Sequence, residues 1–264
     1  MLIKIKHYYN YKQLLKSFVV RDLKSKYLGS AIGLFWSVLD PIFTLILYTF
    51  VFAYILKIKF GGDGGLADFA LYLFCALLPW LAIQESIQRS MGVIPENANL
   101  IKKMVFPARI LPTYIVVSSF VGQLIGTIIL VVAIMLKGYH LSLHVFFLPI
   151  IFIIQFFMTM GVCLALASVN VFIRDTSHLV GKVLMVWMYV TPIVYPLSIV
   201  PEKVQPLFMI NPIMHLVDAY REVLLNNSFP DPAGILFLAV FALIVFKLGD
   251  KIFKKTRHKF ADVI

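Results

Sequence analysis

Residues 111–136 read LPTYIVVSSFVGQLIGTIILVVAIML, a run that contains no charged side chain. As a helix rising about 1.5 Å per residue, it is long enough to cross the roughly 30 Å of hydrocarbon in a bilayer. Within it, Ser118, Gly122 and Gly126 recur at four-residue intervals, and small residues at this spacing permit close contact with another helix. The stretch therefore predicts a membrane-spanning helix with one face suited to helix packing.

Similar apolar runs recur along the chain. They occupy residues 32–56, 66–83, 145–172 and 233–248, and a further run starts near Leu179. Together with the first stretch they predict an all-α membrane protein with six transmembrane helices. The whole chain, residues 1–264, is then a single transmembrane domain whose six-span bundle covers residues 31–256.

The composition supports a membrane protein. Of the 264 residues, 61% are hydrophobic and 14% are charged, whereas a soluble domain averages about 45–50% apolar and about 25% charged residues. A soluble globular domain, a disordered chain and a fibrous repeat are therefore excluded. Both cysteines, Cys75 and Cys163, lie inside apolar runs and the six histidines are scattered, so the sequence predicts neither a disulfide framework nor a metal site.

The net charge of +11 indicates membrane orientation and anionic lipid rather than nucleic acid, because the basic residues lie between apolar runs. Most of the 24 lysines and arginines fall before residue 27, within residues 89–109, within residues 174–182 or after residue 246. Positive residues concentrate on the cytoplasmic side of a membrane. The sequence therefore predicts that both termini are cytoplasmic.

Residues 1–30 show an amphipathic pattern. An apolar stripe recurs at helical spacing and the lysines fall off it; the stripe holds Leu15, Phe18, Val19, Leu23 and Tyr27, and the lysines are Lys12, Lys16, Lys24 and Lys26. A basic helix of this kind lies in the membrane interface. It is either a plain membrane anchor or a support for a partner, and the pattern is compatible with both.

Prolines interrupt the run that starts near Leu179. Pro192, Pro196 and Pro201 each lack a backbone donor, and irregular backbone at membrane depth is tolerated only where protein or a water-filled cavity covers it. Residues 200–225 are apolar but too punctuated for another crossing. They predict two short helices that enter the outer leaflet and return, with a surface loop packed on the bundle as the alternative.

Common enzyme motifs are missing from the sequence. It contains no G-x-x-x-x-G-K-[ST], no G-x-S-x-G, no H-E-x-x-H and no pair of carboxylates within an apolar run. Glu85 and Arg89, four residues apart, are expected to form a structural ion pair. We therefore predict no catalytic residue and no P-loop nucleotide site in this chain.

Aromatic residues in the apolar runs offer a different kind of site. Flat apolar faces suit sugar rings, and such faces belong to Trp36, Tyr48, Tyr54, Trp187, Tyr189 and Tyr195. Tyr48 and Tyr189 fall toward mid-span, where a phenolic hydroxyl needs a hydrogen-bond partner. The competing interpretation is an ordinary aromatic belt at the membrane interfaces, and composition alone leaves both open.

Four connecting stretches carry a more specific pattern. Residues 95–112 read PENANLIKKMVFPARILP, residues 170–175 read NVFIRD, residues 191–196 read TPIVYP and residues 211–225 read NPIMHLVDAYREVLL. In this order, and over essentially the whole chain, the sequence resembles the permease subunits of ABC exporters for polysaccharides and polyol phosphates. That group includes exporters of O-antigen, capsule and teichoic acid.

The resemblance implies a transport subunit rather than an enzyme. Two permease chains would form a homodimer, and two separate ATP-binding cassette subunits would hold ATP and Mg²⁺, so this chain needs no cofactor. The cargo would be an undecaprenyl-linked polysaccharide of O-antigen type, moved across the bacterial inner membrane. Teichoic acid or capsular polysaccharide is the alternative cargo. A membrane-bound sugar or lipid transferase, or a scaffold or channel without energy coupling, is the alternative class.

The resemblance also implies residue roles. The segment 96–103 corresponds to the family's coupling helix, so the ATPase-coupling residues are Glu96, Asn97, Asn99, Lys102, Lys103, Arg174 and Asp175. The six aromatic residues would line the glycan path. Short outer helices would gate the exit through Pro201, Asn211, Pro212, Asp218, Tyr220, Arg221 and Glu222. Residues 1–30 match the family's interface helix, and residues 257–264 form a cytoplasmic tail.

Overall fold

The computed structural model describes residues 2–26, 36–55, 57, 65–103, 106–140 and 142–264. These residues form helices and connecting segments, with no strand among them. The helices are α1 Leu2–Ser25, α2 Trp36–Tyr48, α3 Leu66–Glu96, α4 Ala98–Lys103, α5 Ile110–Leu136, α6 Leu148–Phe172, α7 Thr176–Val190, α8 Gln205–Phe208, α9 Pro212–Leu224, α10 Pro232–Thr256 and α11 Phe260–Val263. A π-helical stretch, Thr49–Ile55, continues α2, and 3₁₀ turns occupy Leu143–Phe147, Leu197–Ile199 and Arg257–Lys259.

Within the described ranges, four helices are long and apolar enough to cross a membrane. They are α3, α5, α6 with the 3₁₀ turn before it, and α10 with the helical turns after it. The prediction of a helical membrane protein is confirmed. Six crossings stay a prediction, since part of the expected first span, residues 32–35, lies outside the described residues. The helix of the expected fifth span, α7, has 15 residues. This is about 22 Å of helix, which is shorter than the roughly 30 Å of hydrocarbon in a bilayer.

α3 extends further than its sequence predicted. The apolar run ends at Ile83, but the helix continues to Glu96. The added turns contain Ser86 and Ser90, which are polar yet fully buried, and Ser86 Oγ donates to the Ala82 carbonyl at 2.6 Å. The helix continues through polar residues here because neighbouring elements cover them.

The centre of the bundle lies where α3 packs against α5, α6 and α9. Trp80 and Leu77 of α3, Leu130 of α5 and Tyr220 of α9 are fully buried. Lipid tails are as apolar as such side chains, so close packing and interhelical hydrogen bonds hold membrane helices together more than the hydrophobic effect does. The centre is a core filled by side chains.

α6 and α10 approach each other most closely at two glycines. A Cβ atom added to Gly161 would lie 2.6 Å from the Phe246 backbone, and one added to Gly249 would overlap the Gly161 carbonyl. Backbone atoms do not move aside as a flexible side chain does. The two helices are therefore in backbone contact, as at other small-residue interfaces in membranes.

The predicted small-residue face of α5 is confirmed at one of its three positions. Gly126 lies against the Leu78 side chain of α3, which would have to shift to admit a methyl group, whereas a Cβ on Gly122 would meet nothing within 4 Å. Ser118 has a different role, because its hydroxyl donates to Asp22 Oδ2 of α1 at 2.5 Å.

α1 has the amphipathic character that its sequence predicts. Phe18 and Val19 are buried, while the basic side chains off the stripe are exposed at Lys12, Lys16, Lys24 and Lys26. The Phe18 ring packs on Tyr114 of α5 and on Phe106, with centroids 5.3 Å and 5.8 Å apart. α1 therefore rests on the bundle through its apolar face.

A network of charges fixes α1 to α3. Asp22 pairs with Arg89, and Arg89 Nη1 lies 3.0 Å from Glu85 Oε1, which confirms the ion pair expected from their spacing. Glu85 Oε1 also pairs with Lys26 Nζ at 2.5 Å. Since Asp22 is buried and also accepts the Ser118 hydrogen bond, α1, α3 and α5 meet at this carboxylate.

We expect Gly249→Ala to destabilise the protein, because the added methyl group would force the α6 and α10 backbones apart. Gly122→Ala is the matched control: it adds the same methyl group where space is open, and alanine favours a helix over glycine by up to about 1 kcal/mol. In detergent, the Tm should fall for Gly249→Ala and hold or rise for Gly122→Ala. Equal Tm values would contradict the backbone contact.

Candidate functional site

α7 ends at a break that leaves backbone carbonyls without helical partners. The helix stops at Val190, and Thr191 and Pro192 follow; proline has no N–H with which to continue the ladder. Thr191 Oγ1 donates back to the Trp187 carbonyl at 2.8 Å. The residues Pro192 and Ile193 are buried, so their carbonyls need donors from elsewhere in the protein.

Arg221 of α9 supplies these donors. Its Nη1 donates to the Pro192 carbonyl at 3.0 Å and its Nη2 to the Ile193 carbonyl at 3.1 Å. The guanidinium carbon lies 3.7 Å from the centroid of the Tyr72 ring, a cation–π contact, and Nη1 lies 3.9 Å from Asp218 Oδ1. Only 3% of Arg221 is exposed, so a buried, charge-assisted connection binds α9 to the break.

Asn211 starts α9 and ties it to α7 at the same time. Its Oδ1 accepts from the Ile213 N–H at 3.0 Å, which caps the helix, and from Trp187 Nε1, also at 3.0 Å. Its Nδ2 donates to Thr191 Oγ1 at 2.8 Å. Pro212 occupies the first position of α9, where its missing N–H leaves no helical bond unmade.

A second buried connection joins α9 to the bundle. Tyr220 Oη donates to Gln155 Oε1 of α6 at 2.8 Å and accepts from Gln123 Nε2 of α5 at 3.0 Å. The two amides also bond to each other at 2.8 Å and 3.0 Å, and Gln155 Nε2 reaches the Pro79 carbonyl of α3 at 3.2 Å. Polar groups inside the apolar core therefore fix α9 to three helices.

Four of the six predicted aromatic residues lie around the α7 break. One of them is Trp187, whose bond to Asn211 is described above. The others are Tyr48, whose Oη lies 3.9 Å from Met188 Sδ, and the pair Tyr195 and Tyr189, in which Tyr195 Oη donates to the Tyr189 carbonyl at 2.6 Å. Tyr189 is 52% exposed. The break thus brings predicted path residues and predicted gate residues into one region.

The remaining predicted residues of these two groups lie elsewhere. Tyr54 stacks on Phe50 and is 67% exposed, and the Trp36 side chain lies outside the described part of the chain. Glu222 Oε1 accepts from Asn226 Nδ2 at 3.1 Å in the turn after α9. Pro201 is exposed in the segment before α8. A role in transport stays a prediction for each of them.

The predicted coupling residues lie at the opposite end of α3 from Tyr72, about 36 Å away along the helix. Glu96, Asn99 and Lys102 are exposed on and beside α4, whereas Asn97 donates from Nδ2 to the Val93 carbonyl at 2.8 Å and ends α3. The Lys103 side chain lies outside the described residues. Residues Ala98–Lys103 of the predicted coupling segment form the short helix α4.

Arg174 and Asp175 are exposed in the turn between α6 and α7. Asn170, one turn earlier, donates from Nδ2 to the Met91 carbonyl of α3 at 2.8 Å. We call the end of the bundle that holds α4, the turn 173–175 and residues 254–264 the basic end. The predicted coupling residues therefore share one end of the molecule.

Residues 13–225, which include every helix from α2 to α9, match the ABC-2 type transporter family. The chain belongs to this family. It is 29% identical to the O-antigen export system permease protein RfbA of Myxococcus xanthus and 29% identical to that of Klebsiella pneumoniae, over 100% of both chains in each case. It is 20% identical to the polysialic acid transport protein KpsM of Escherichia coli, over 92% of this chain and 93% of the relative.

In this ABC-2 transporter chain, the sequence indicated Tyr220 and Arg221 but not the residues that bind them. Tyr72, Gln123 and Gln155 were missed because each lies inside an apolar run. A lone amide in such a run is itself a signal, since an amide in hydrocarbon needs a partner on another helix. That signal predicts a hydrogen bond without identifying the partner.

We expect Arg221→Lys to release α9 from the break in this ABC-2 chain. A lysine ammonium is a point donor and does not reproduce two parallel bonds to neighbouring carbonyls. Hydrogen bonds to a charged group are worth about 1.5–3 kcal/mol each. The Tm should fall and proteolysis within residues 191–211 should rise. Lys203→Arg, the reverse exchange at an exposed site, is the control; unchanged proteolysis in Arg221→Lys would contradict the connection.

Trp187→Phe separates two roles of Trp187. It keeps an aromatic ring beside Trp80, whose ring centroid is 6.3 Å away, but removes the N–H that Asn211 accepts. A lost hydrogen bond costs about 0.5–1.5 kcal/mol, so we expect faster hydrogen exchange at the start of α9. Tyr54→Phe, on an exposed face, should leave that exchange unchanged. Wild-type exchange in Trp187→Phe would show that the ring alone matters.

Proposed function

We propose that this chain is the transmembrane subunit of an ATP-driven exporter for lipid-linked polysaccharide of O-antigen type. The observation that carries the proposal is the end-to-end match, over 100% of both chains, to two O-antigen export permeases. The match to the polysialic acid transport protein has lower identity and covers 92% of the chain. O-antigen is therefore preferred to capsular polysaccharide or teichoic acid as the cargo.

The energy for export comes from partner subunits. The sequence has no P-loop motif with which to cradle a nucleotide, so ATP and Mg²⁺ belong to two ATP-binding cassette subunits that dock on the basic end. α4 suits this docking because Leu100 and Ile101 pack on the core while Asn99 and Lys102 face outward. The exposed turn at Arg174 offers a second contact.

A second copy of the chain completes the conduit. Side chains such as Trp80 and Tyr220 fill the centre of the bundle, so a hydrated polymer needs a path outside that core. α2 with its π-helical continuation and α7 present large exposed apolar side chains, which include Phe43, Ile46, Phe50, Val186 and Tyr189. Between two copies, the aromatic side chains on these faces would line the glycan path.

In the bacterial inner membrane, the six crossings are α2, α3, α5, α6, α7 and α10, and both termini are cytoplasmic. α1 lies in the cytoplasmic interface and contacts lipid headgroups through its lysines. α8 and α9 enter the outer leaflet and return. The paired carbonyls at the α7 break support this placement, because irregular backbone in a membrane has to be satisfied by protein.

The same contacts suggest how the exit is gated. α9 is attached to the end of α7 through Arg221 and Asn211, and to the core through Tyr220. ATP binding in the partners favours one arrangement of the two permease chains and hydrolysis favours the other. A shift of α7 between these arrangements would carry the start of α9 with it and open or close the path.

Lys102→Glu tests the docking. The chain should insert normally, but it should co-purify less cassette subunit, and surface polysaccharide should fall at least about tenfold. The proposed docking pairs the basic end with an acidic surface of the cassette subunit, and a glutamate there would add a like-charge contact, which costs several kcal/mol. Lys203→Glu makes the same change at an exposed lysine before α8 and should retain both. Normal co-purification and normal surface polysaccharide in Lys102→Glu would contradict docking on α4.

A further inference from the structure

Residues 257–264 read RHKFADVI, and a cytoplasmic tail is predicted here. The structure shows a folded element instead. α10 continues to Thr256, a 3₁₀ turn follows at Arg257–Lys259, and α11 spans Phe260–Val263. We call residues 257–264 the return segment, because they reverse the chain onto the basic end of the bundle.

Phe260 anchors the return segment. It is fully buried, although the residues on both sides of it, Lys259 and Ala261, are exposed. Its ring packs edge-on against Phe253 of α10, with centroids 5.5 Å apart, and lies 6.2 Å from the ring of Phe172 at the end of α6. One aromatic side chain therefore joins the ends of two helices.

The return segment also packs on α4, which carries predicted coupling residues, and on α6, which ends just before the turn that carries Arg174 and Asp175. α11 contacts α4 and α6, and Phe172 lies two residues before Arg174 in the exposed turn. α4 has only six residues, and a helix that short is not stable on its own. Its position depends on what lies behind it.

A second link holds the same end together. Arg109, at the start of α5, pairs with Asp250 of α10 at 2.8 Å, and Lys254 pairs with the other oxygen of Asp250 at 2.5 Å. The chain leaving α4 is thus tied to α10 one turn before Phe253. Charges and aromatic rings both connect the surroundings of α4 to α10.

We propose that the return segment positions α4 and the turn 173–175 as one rigid unit, with Phe260 as its positioning residue. Motion of a cassette subunit pressed against α4 then reaches α6 and α10 together. Without Phe260, α4 would move by itself when the cassette subunit moves, and α6 and α10 would not follow it. This inference rests on the proposed docking of the cassette subunit on α4.

The test uses the full complex, reconstituted in vesicles, and measures ATP hydrolysed per polysaccharide exported. Phe260→Ala should retain the cassette subunit and its ATP hydrolysis, but raise this ratio by roughly 2- to 30-fold, the range that mutations in coupling elements span. Phe260→Leu refills much of the space and should restore most of the coupling. Val263→Ala, at a 44% exposed position of the same helix, should leave the ratio unchanged.

Two results would overturn the proposal. One is a wild-type ratio in Phe260→Ala, whether export and ATP hydrolysis keep their wild-type rates or fall together with protein abundance. The other is failure of Phe260→Leu to improve coupling over Phe260→Ala. Lys102→Glu, measured in parallel, distinguishes this failure from that of the docking site. If Lys102→Glu loses the cassette subunit while Phe260→Ala stays coupled, docking stands and the positioning role is wrong.

Discussion

A backbone carbonyl group that is buried away from water has to find a donor within the protein. The break after α7 creates this need at Pro192 and Ile193, and Arg221 meets it with two hydrogen bonds. The arrangement also solves the problem of burying an arginine, since the carbonyls, the Tyr72 ring and Asp218 replace its water. The placement of α9 therefore follows from the proline that ends α7.

Two levels of the bundle of this ABC-2 chain contain polar clusters that fix neighbouring helices. One level contains Arg221, Asn211 and the Tyr220 amide network, which fix α9. The other contains the Asp22 and Arg89 network, which fixes α1 to α3 and α5. α3 runs continuously from one level to the other, because it contributes Tyr72 to the first and Arg89 to the second.

The sequence was a good guide to helices that are apolar throughout and a poor one to helices stabilised by their neighbours. The bounds of α5 and α6 follow their apolar runs closely, and Pro192 marked the end of α7. The last turns of α3 were missed because polar side chains there are buried by other elements. The gate residues were predicted by resemblance, but their partners Gln123 and Gln155 are decided by tertiary packing.

The glycine contact between α6 and α10 also constrains how the transporter changes shape. Two helices whose backbones touch at Gly161 and Gly249 cannot slide past each other without lifting apart first. They form a closely packed pair, with α3 and α5 packed beside α6. Relative movement of helices in this chain therefore has to occur elsewhere than at the contact of α6 with α10.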